Sequence, residues 1–390
     1  MNLYLNDLGL LCAVGNSRAE VLARLLAGDR SGLIASDEFG IHTIVGQVSS
    51  ELPEIDQRYS RYNCRNNRLL LAAVSQISAT VNEMIARYGA DRMGVVLGTS
   101  TSGVRNTELA LAYQAKFGML PNEFHYKQQQ MGAGADFLAS YLGLTGPAYT
   151  ISTACSSSGK AFASARRLIN LDLCDAVIVG GADSLCSLTI NGFAALESLS
   201  TGYCKPFGLH RNGINIGEAA SLFVLSKQPG PVQLLGIGAS SDAYHFSAPD
   251  PAGTAVIIAM QKALRDASKR PEDIDYLNLH GTATVLNDAM ESKAVNALFG
   301  NQVAASSSKG LTGHTLGAAA ALELGFCWML LTENERGDLI PNINDDEVDA
   351  GLAPLHLVKQ GERLGRKLQV CQSNSFAFGG NNLSIIIART

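Results

Sequence analysis

The chain has 390 residues and a net charge of −5, and 46% of its residues are hydrophobic while only 17% are charged. This length allows two domains or one large duplicated unit with a sizeable core. No long Lys/Arg stripe indicates a nucleic-acid binder, no signal-peptide pattern opens the sequence, and the longest apolar stretch, Thr315–Leu331, is short for a membrane span and contains Glu323.

Strand and helix signals alternate along the first part of the chain. Helical periodicity predicts helices at Ser17–Leu26, Asn67–Tyr88 and Gly159–Leu171. Short apolar runs that end in Gly, Ser, Thr or Asp predict buried strands at Arg92–Ser100, Ala148–Thr153, Asp175–Asp183 and Ala220–Ser226.

The pattern restarts after a turn-rich break, "KQPGP", at Lys227–Pro231. "VQLLGIGASSD" predicts a strand, "IDYLNLHGTAT" a strand running into a loop, and "LSIIIART" a closing strand. Helices are predicted at Ala255–Ala267, Asp288–Leu298 and Gly317–Leu331. We therefore expect a layered α/β protein with two similar halves, residues 1–230 and 231–390.

Cys155 lies between a predicted strand and a predicted helix, in "TISTACSSSGKAF". A buried spacer and a nucleophile are both consistent with a cysteine there. At the start of a helix, the dipole and the free N–H groups are expected to lower the pKa of the thiol. The eight cysteines show no CxxC pair and no zinc spacing, so free thiols in a reducing cytoplasm are expected.

Three further polar clusters lie in apolar surroundings. In the first cluster, His280 follows a predicted strand and precedes Glu291. In the second, Lys309 and His314 lie in one Gly/Thr loop. The third is the glycine-rich turn "NSFAFGGNN". Each cluster alone is also consistent with a structural histidine, a flexible turn or a hairpin. No histidine or carboxylate spacing indicates a metal site, and no GxSxG, P-loop or GxGxxG pattern is present.

Together these clusters resemble the β-ketoacyl-acyl-carrier-protein synthases, in their Cys-His-His form. The order matches "TACSSS", "HGTAT…ND…E", "K…GHTLGAA" and "NSFAFGGNN", and the similarity extends to Met131–Ser158 and Cys204–Ala220, so it covers nearly the whole chain. The resemblance implies a thiolase-like fold, an α-β-α-β-α sandwich of two similar halves, usually paired as a dimer with itself or with a paralogue.

The resemblance also implies roles for individual residues. Cys155 corresponds to the acyl-accepting nucleophile, His280 and His314 to the catalytic histidines, and Phe378 to the oxyanion-hole N–H and the gate of the acyl pocket. Lys309 and Glu291 correspond to residues beside the histidines, where they either position the rings or form a structural ion pair with each other. Substrate contacts are implied for Phe376, Thr282, Thr284 and Gly379.

The implied reaction is a decarboxylative Claisen condensation that needs no metal or other cofactor. An acyl group moves from acyl-carrier protein to Cys155, malonyl-carrier protein loses carbon dioxide, and the resulting carbanion attacks the acyl-enzyme in fatty acid or polyene/polyketide elongation. Gly208 and Asn212 replace acidic residues of the family pattern, and Ala377 replaces a glycine, which suggests a specialised acyl chain. The acyl pocket is expected to include Thr99–Asn106 and Met131–Ala139.

Two alternatives remain at this stage. A non-catalytic chain-length partner usually lacks the nucleophile, and a thiolase acting on coenzyme A esters has a second cysteine near the last glycine turn, where this chain has only Cys371.

Four arginines at helical spacing are expected to form either a docking stripe for the acidic carrier protein or a solvated face: Arg58, Arg61, Arg65 and Arg68. No nucleic-acid or membrane partner is expected.

Overall fold

A computed structural model describes residues 2–344, 347 and 349–390 of the chain. The α-helices within these ranges are α1 (Arg18–Leu26), α2 (Arg65–Gln76), α3 (Ser78–Tyr88), α4 (Val104–Phe117), α5 (Ala133–Leu142), α6 (Ser157–Asn170), α7 (Ser187–Ala195), α8 (Thr254–Ala267), α9 (Val285–Phe299), α10 (Lys309–Thr312) and α11 (Ala319–Thr332). The strands are β1 (Tyr4–Cys12), β2 (Leu33–Ser36), β3 (Thr43–Gly46), β4 (Met93–Gly98), β5 (Ala148–Ile151), β6 (Ala176–Asp183), β7 (Ile216–Gly217), β8 (Ala219–Ser226), β9 (Val232–Ser241), β10 (Tyr276–Asn278), β11 (Ala304–Ser306), β12 (His356–Leu357), β13 (Val370–Ala377) and β14 (Asn381–Arg389).

Two groups of strands repeat the same order and polarity. In the first, β5, β4 and β6 are parallel, and β8 and β1 continue antiparallel. In the second, β11, β10 and β13 are parallel, and β14 and β9 continue antiparallel. A short antiparallel pairing of β1 with β9 joins the groups into one continuous sheet. This repetition is the architecture that the sequence predicted, while the division at residue 230 stays a prediction.

Helices cover both faces of each group and produce the expected α-β-α-β-α layers. Helices α6 and α11 lie in the central layer, where α6 packs on β4 and β6 and α11 packs on β13, β14 and β8. Helix α11 is buried along almost its whole length, which explains why its sequence is apolar on every side. Helices α2 and α5 pack on the outer face of the first group, and α8 packs on the outer face of the second.

The predicted helix Asn67–Tyr88 is wrong as a single element, because it breaks at Ile77 into α2 and α3, which are bent by 75°. Ser75 Oγ donates a 2.7 Å hydrogen bond to the Leu71 carbonyl just before the break. Such bonding back to the preceding turn often bends a helix. Among the described residues no single helix is long and apolar enough to cross a membrane; only this bent pair, taken together, meets the length and composition criteria.

Candidate active site

Cys155 lies in a tight turn between β5 and α6, as the sequence predicted. Ala154 has a positive φ of 51°, and Ser156 is the N-cap of α6, so the sulfur lies at the positive end of the helix. The serines brace this turn, since Ser157 Oγ accepts a hydrogen bond from the Thr153 N–H at 2.8 Å and donates one to the Ala154 carbonyl at 2.6 Å. The serine run therefore fixes the position of the thiol.

The expected low pKa of this thiol is wrong. Cys155 is only 5% exposed, and burial raises its pKa to about 11 because an anion is poorly solvated there. The charge of Lys309 and the backbone N–H groups of Phe378 and Cys155 itself favour the anion but do not outweigh burial. Cys155 is therefore a thiol at neutral pH.

The His280 loop is held by two buried carboxylates at the start of α9. Glu291 accepts the backbone N–H groups of His280 and Gly281, each at 2.7 Å. Asp288 accepts the N–H groups of Ala283, which has a φ of 65°, at 3.2 Å and of Phe207 at 2.8 Å. Burial raises the pKa of Glu291 to about 7 and that of Asp288 to about 6. These bonds set where the imidazole of His280 points.

His314 reaches the site from a turn after α10. Its backbone N–H donates to the Asn215 carbonyl at 2.7 Å, and its own carbonyl accepts the Gly217 N–H at 2.9 Å, so the turn is anchored to the strand segment before β8. Its Nε2 lies 2.9 Å from Cys155 Sγ. Burial first, and then the charge of Lys309, lower the pKa of His314 well below its usual range, so the ring is neutral.

The three side chains converge on one buried point although they are far apart in sequence. The ligating atoms of Cys155, His280 and His314 all lie within 4.8 Å of one another, and the two imidazole centroids are 5.5 Å apart at 84°. Burial, Lys309 and His314 lower the pKa of His280 in the same way. Both Nδ1 atoms are buried without a partner among the described residues, which favours a proton on each Nε2 because an unpaired buried N–H is costly.

Lys309 pairs with Glu323, which contradicts the alternative of an ion pair with Glu291. Lys309 Nζ donates to Glu323 Oε1, and both side chains are at most 3% exposed. The pairing residue comes from α11, in the apolar stretch where the sequence showed a single acid. Burial raises the pKa of Glu323, while Lys309 and a hydrogen bond from Asn278 lower it. The ammonium acts electrostatically on Cys155, His280 and His314 alike.

The turn Phe378–Gly380 closes the site from the end of β13. Gly379 and Gly380 have φ values of 78° and 73°, which require glycine, and the Gly379 N–H donates to the Phe246 carbonyl at 2.8 Å. Ala377 is extended, with a φ of −92°, so its methyl group does not strain the turn. The ring of Phe378 lies 5.4 Å from that of Phe193.

A cavity of about 320 Å³ opens onto this site. Its lining includes five of the predicted residues besides the two histidines: Cys155, Thr282, Thr284, Phe376 and Phe378. Gly380 also lines it, whereas the predicted Gly379 does not. Neither Thr99–Asn106 nor Met131–Ala139 lines this cavity, so their place in an acyl pocket stays a prediction; the lining does include Phe193, Leu196 and Asn212.

The four arginines do not form one stripe. Arg58 and Arg61 belong to a separate 3-10 helix, Gln57–Tyr62, and the chain turns at Asn63 before α2 begins. Arg65 is partly buried and forms an ion pair, since its Nε and Nη2 donate to the buried Glu218 at 2.8 and 2.5 Å. Arg68 Nε donates to Asn63 at 2.9 Å. The prediction of one shared helix face is therefore wrong, and Arg65 forms an ion pair with a buried carboxylate.

Sequence comparison now places the chain among known proteins. The family models "Beta-ketoacyl synthase, N-terminal domain" and "Beta-ketoacyl synthase, C-terminal domain" match residues 23–229 and 232–344. Nodulation protein E of Rhizobium leguminosarum bv. trifolii is 31% identical, over 97% of this chain and 96% of the relative. The 3-oxoacyl-[acyl-carrier-protein] synthase 2 of Vibrio cholerae is also 31% identical, over 98% and 97%.

A solved structure agrees with these relatives. A chain from the complex of the ketosynthase ApeO with its chain length factor ApeC, from Xenorhabdus doucetiae, superposes with a TM-score of 0.94 at 44% identity, covering 100% of this chain and 98% of that one. The fold is thus that of a thiolase-like condensing enzyme. The chain belongs to the β-ketoacyl synthase family. It is an acyltransferase that condenses an acyl thioester with malonyl-acyl-carrier protein.

Proposed function

We propose that this chain is the catalytic subunit of a ketosynthase dimer, with Cys155 as the nucleophile and His280 and His314 as the donors for the condensation. The observation that carries this proposal is the convergence of one thiol and two neutral imidazoles at the end of a cavity. In a buried site that excludes water, hydrogen-bond donors held in fixed positions stabilise the negative charge that develops in the transition state.

The first half-reaction is acyl transfer. The Cys155 sulfur attacks the carrier thioester as it loses its proton, and that proton ends on the released carrier thiol. The tetrahedral oxyanion lies against the backbone N–H groups of Cys155 and Phe378, which already act on the sulfur in the free protein. One such donor is worth about 2.7–4 kcal/mol of transition-state stabilisation.

The second half-reaction is decarboxylative condensation. Malonyl-carrier protein loses carbon dioxide, and the enolate oxygen left on its thioester accepts hydrogen bonds from Nε2–H of His280 and His314. The enolate carbon then attacks the Cys155 thioester, and the sulfur leaves and is protonated by solvent. Neutral imidazoles suit this step because they stay donors through the cycle, and the depressed pKa of each ring keeps it neutral.

Two surface features support a dimer. The first is α4, whose apolar side chains Leu109, Leu111 and Phe117 are each more than half exposed. The second is β5, which forms one edge of the sheet and has backbone groups available for a further strand. Exposed apolar patches and open edges of this kind indicate a covered interface. The partner is a second thiolase-like chain, and the similarity to a ketosynthase in complex with its chain length factor favours a paralogue over a second copy.

The carrier protein is the proposed macromolecular substrate, and the cytoplasm the proposed location. Of the four arginines, Arg58 and Arg61 remain candidates for docking, because both are exposed and lie outside the buried pair of Arg65. A non-catalytic chain-length role is disfavoured by the assembled Cys155, His280 and His314. A thiolase role is disfavoured because Cys371, at the buried start of β13, is not at the glycine turn.

Activity separates these functions. The purified protein, with and without a co-expressed paralogue, is assayed with acyl- and malonyl-carrier protein and with acetoacetyl-coenzyme A. We expect β-ketoacyl-carrier protein and carbon dioxide from the first pair only, and no product from Cys155→Ala. Thiolytic cleavage of acetoacetyl-coenzyme A, or equal condensation by Cys155→Ala, contradicts the proposal.

Light scattering tests the dimer. Phe117→Asp places a charge in the α4 patch and should yield monomers, whereas Leu171→Asp, a substitution at a side chain 70% exposed outside this patch, should not. If neither substitution changes the mass in solution, the α4 interface is wrong.

A further inference from the structure

Asp183 lies at the end of β6, where the sequence indicated only the end of a strand. Its side chain is fully buried, yet no cationic side chain among the described residues pairs with it. Instead both carboxylate oxygens accept hydrogen bonds from two segments that border the active site. A buried carboxylate satisfied in this way is a rigid acceptor that fixes the donors around it.

Oxygen Oδ1 holds the loop that follows β4. It accepts the Thr99 hydroxyl at 2.5 Å, the N–H groups of Ser100 and Thr101 at 2.8 Å each, and the Thr101 hydroxyl at 2.9 Å. The same loop contacts the nucleophile turn, since Ser100 Oγ donates to the carbonyl of Ala154 at 3.4 Å. One oxygen therefore fixes the loop beside Cys155.

Oxygen Oδ2 holds the other side of the site. It accepts the N–H of Gly317, three residues after His314, at 2.5 Å, and it also shares the Ser100 N–H at 3.1 Å. The intervening Leu316 has a positive φ of 50°, so this turn is tightly constrained. A Cβ at Gly317 would lie 2.8 Å from Asp183 Oδ2 and 2.7 Å from the Ser100 nitrogen, which shows how closely the two segments approach.

We infer that Asp183 is a positioning residue that holds the His314 turn against the loop beside Cys155, and so keeps Nε2 of His314 in place for the condensation step. The inference rests on the proposed roles of Cys155 and His314. Asp183 touches neither the sulfur nor the ring; it acts through the backbone of Gly317 and of Ser100.

Asp183→Asn is expected to affect the contacts of Oδ1 and Oδ2 differently. The amide oxygen is expected to take the place of Oδ1, where four donors converge, and the amide NH₂ then faces the Gly317 N–H at the former Oδ2 position. Two donors repel each other, so the substitution displaces the His314 turn while the loop beside Cys155 keeps its acceptor. A displacement of about 1 Å at a reacting group costs about 100-fold in rate.

The two half-reactions provide the readout. Single-turnover mass spectrometry measures acylation of Cys155 by acyl-carrier protein, and then the loss of that acyl group on addition of malonyl-carrier protein. We expect Asp183→Asn to slow the second step about 10- to 100-fold and to leave the first within about threefold. A loss of folded protein alone lowers both steps by the same factor.

Glu218→Gln is the control, because Glu218 is an equally buried carboxylate that accepts the N–H groups of Val48 and Leu185 away from the cavity, although unlike Asp183 it also pairs with Arg65. It should lower thermal stability without favouring either half-reaction. Gly317→Ala is the second variant if Asp183→Asn folds poorly. Its methyl group would lie too close to both Asp183 Oδ2 and the Ser100 nitrogen, so it forces the His314 turn away from the loop beside Cys155 and should again slow condensation more than acylation.

Equal effects on both steps, or wild-type rates for both in folded protein, overturn the role of Asp183. Failure of the proposed function is distinguishable from this outcome: in that case the wild-type protein is not acylated at Cys155 at all, or Cys155→Ala is acylated as fast as the wild type.

Discussion

The buried pair of Lys309 and Glu323 allows stability and catalysis to be separated. Both side chains are at most 3% exposed, so Lys309→Met leaves the Glu323 carboxylate without its cation inside the protein. Removing one partner of such a pair lowers the free energy of unfolding by about 3–5 kcal/mol. Restoring neutrality with Lys309→Met/Glu323→Gln should recover most of that loss, because no buried charge remains.

The pH dependence of the single variant follows from Glu323. Burial raises the pKa of this carboxyl above its ordinary value of 4.5, and without Lys309 that rise is larger. A carboxyl whose pKa is higher in the folded than in the unfolded state costs the protein no stability below its unfolded pKa. As the pH increases above that value, the free energy of unfolding decreases. Urea unfolding of Lys309→Met should therefore show a smaller deficit relative to wild type at pH 5 than at pH 8.

Activity should not follow stability in the double variant. The Lys309 ammonium favours the Cys155 anion and disfavours protonation of both histidines. We expect the double variant to unfold near the wild-type urea concentration but to acylate Cys155 more slowly, because the charge of Lys309 favours the Cys155 anion more than the charge of Glu323 disfavours it. A double variant with both wild-type stability and wild-type acylation refutes a catalytic role for Lys309.

Three further predictions concern single residues. Alkylation of Cys155 by iodoacetamide, followed by mass spectrometry, should accelerate about tenfold per pH unit between pH 7 and 9, because its pKa is about 11; a plateau from pH 7 upward contradicts the buried thiol. Arg65→Ala should lower stability in urea by about 1.5–3 kcal/mol, because Glu218 loses a charged donor, and leave carrier-protein affinity unchanged; weaker carrier binding at wild-type stability is the opposite result. In Glu291→Gln, the amide can accept only one of the two N–H groups of the His280 loop. The substitution should therefore lower the free energy of unfolding by about 1–3 kcal/mol and slow condensation more than acylation in the single-turnover assay. An equal decrease in both steps means that Glu291 does not position His280.

Local sequence patterns were enough to place most elements and the nucleophile turn. A polar residue after each apolar run marked where strands end, and the spacing after Cys155 matched the buried face of α6. The clustering of His280 and His314 followed from the resemblance, because no local pattern shows that two segments 34 positions apart meet a cysteine from another half.

The missed features all depend on long-range packing. Glu323 reads as an interruption of an apolar helix, and only the fold shows that it faces Lys309. Arg65 fits a docking stripe by spacing, yet its partner Glu218 lies 153 positions away. The raised pKa of Cys155 has the same origin, because the helix start is visible in the sequence while the burial that outweighs it is not. The sequence did contain one signal for these buried carboxylates: a single acidic residue inside an apolar run, as at Glu323, or at the end of an apolar strand, as at Asp183.

Whether an acyl group is carried by this one sulfur is best decided by intact-protein mass spectrometry after mixing with a panel of acyl-carrier proteins of different chain length. The predicted result is one added acyl group per chain, located on the peptide containing Cys155 and lost when malonyl-carrier protein is added. An unlabelled wild type, or a Cys155→Ala variant labelled to the same extent, contradicts it.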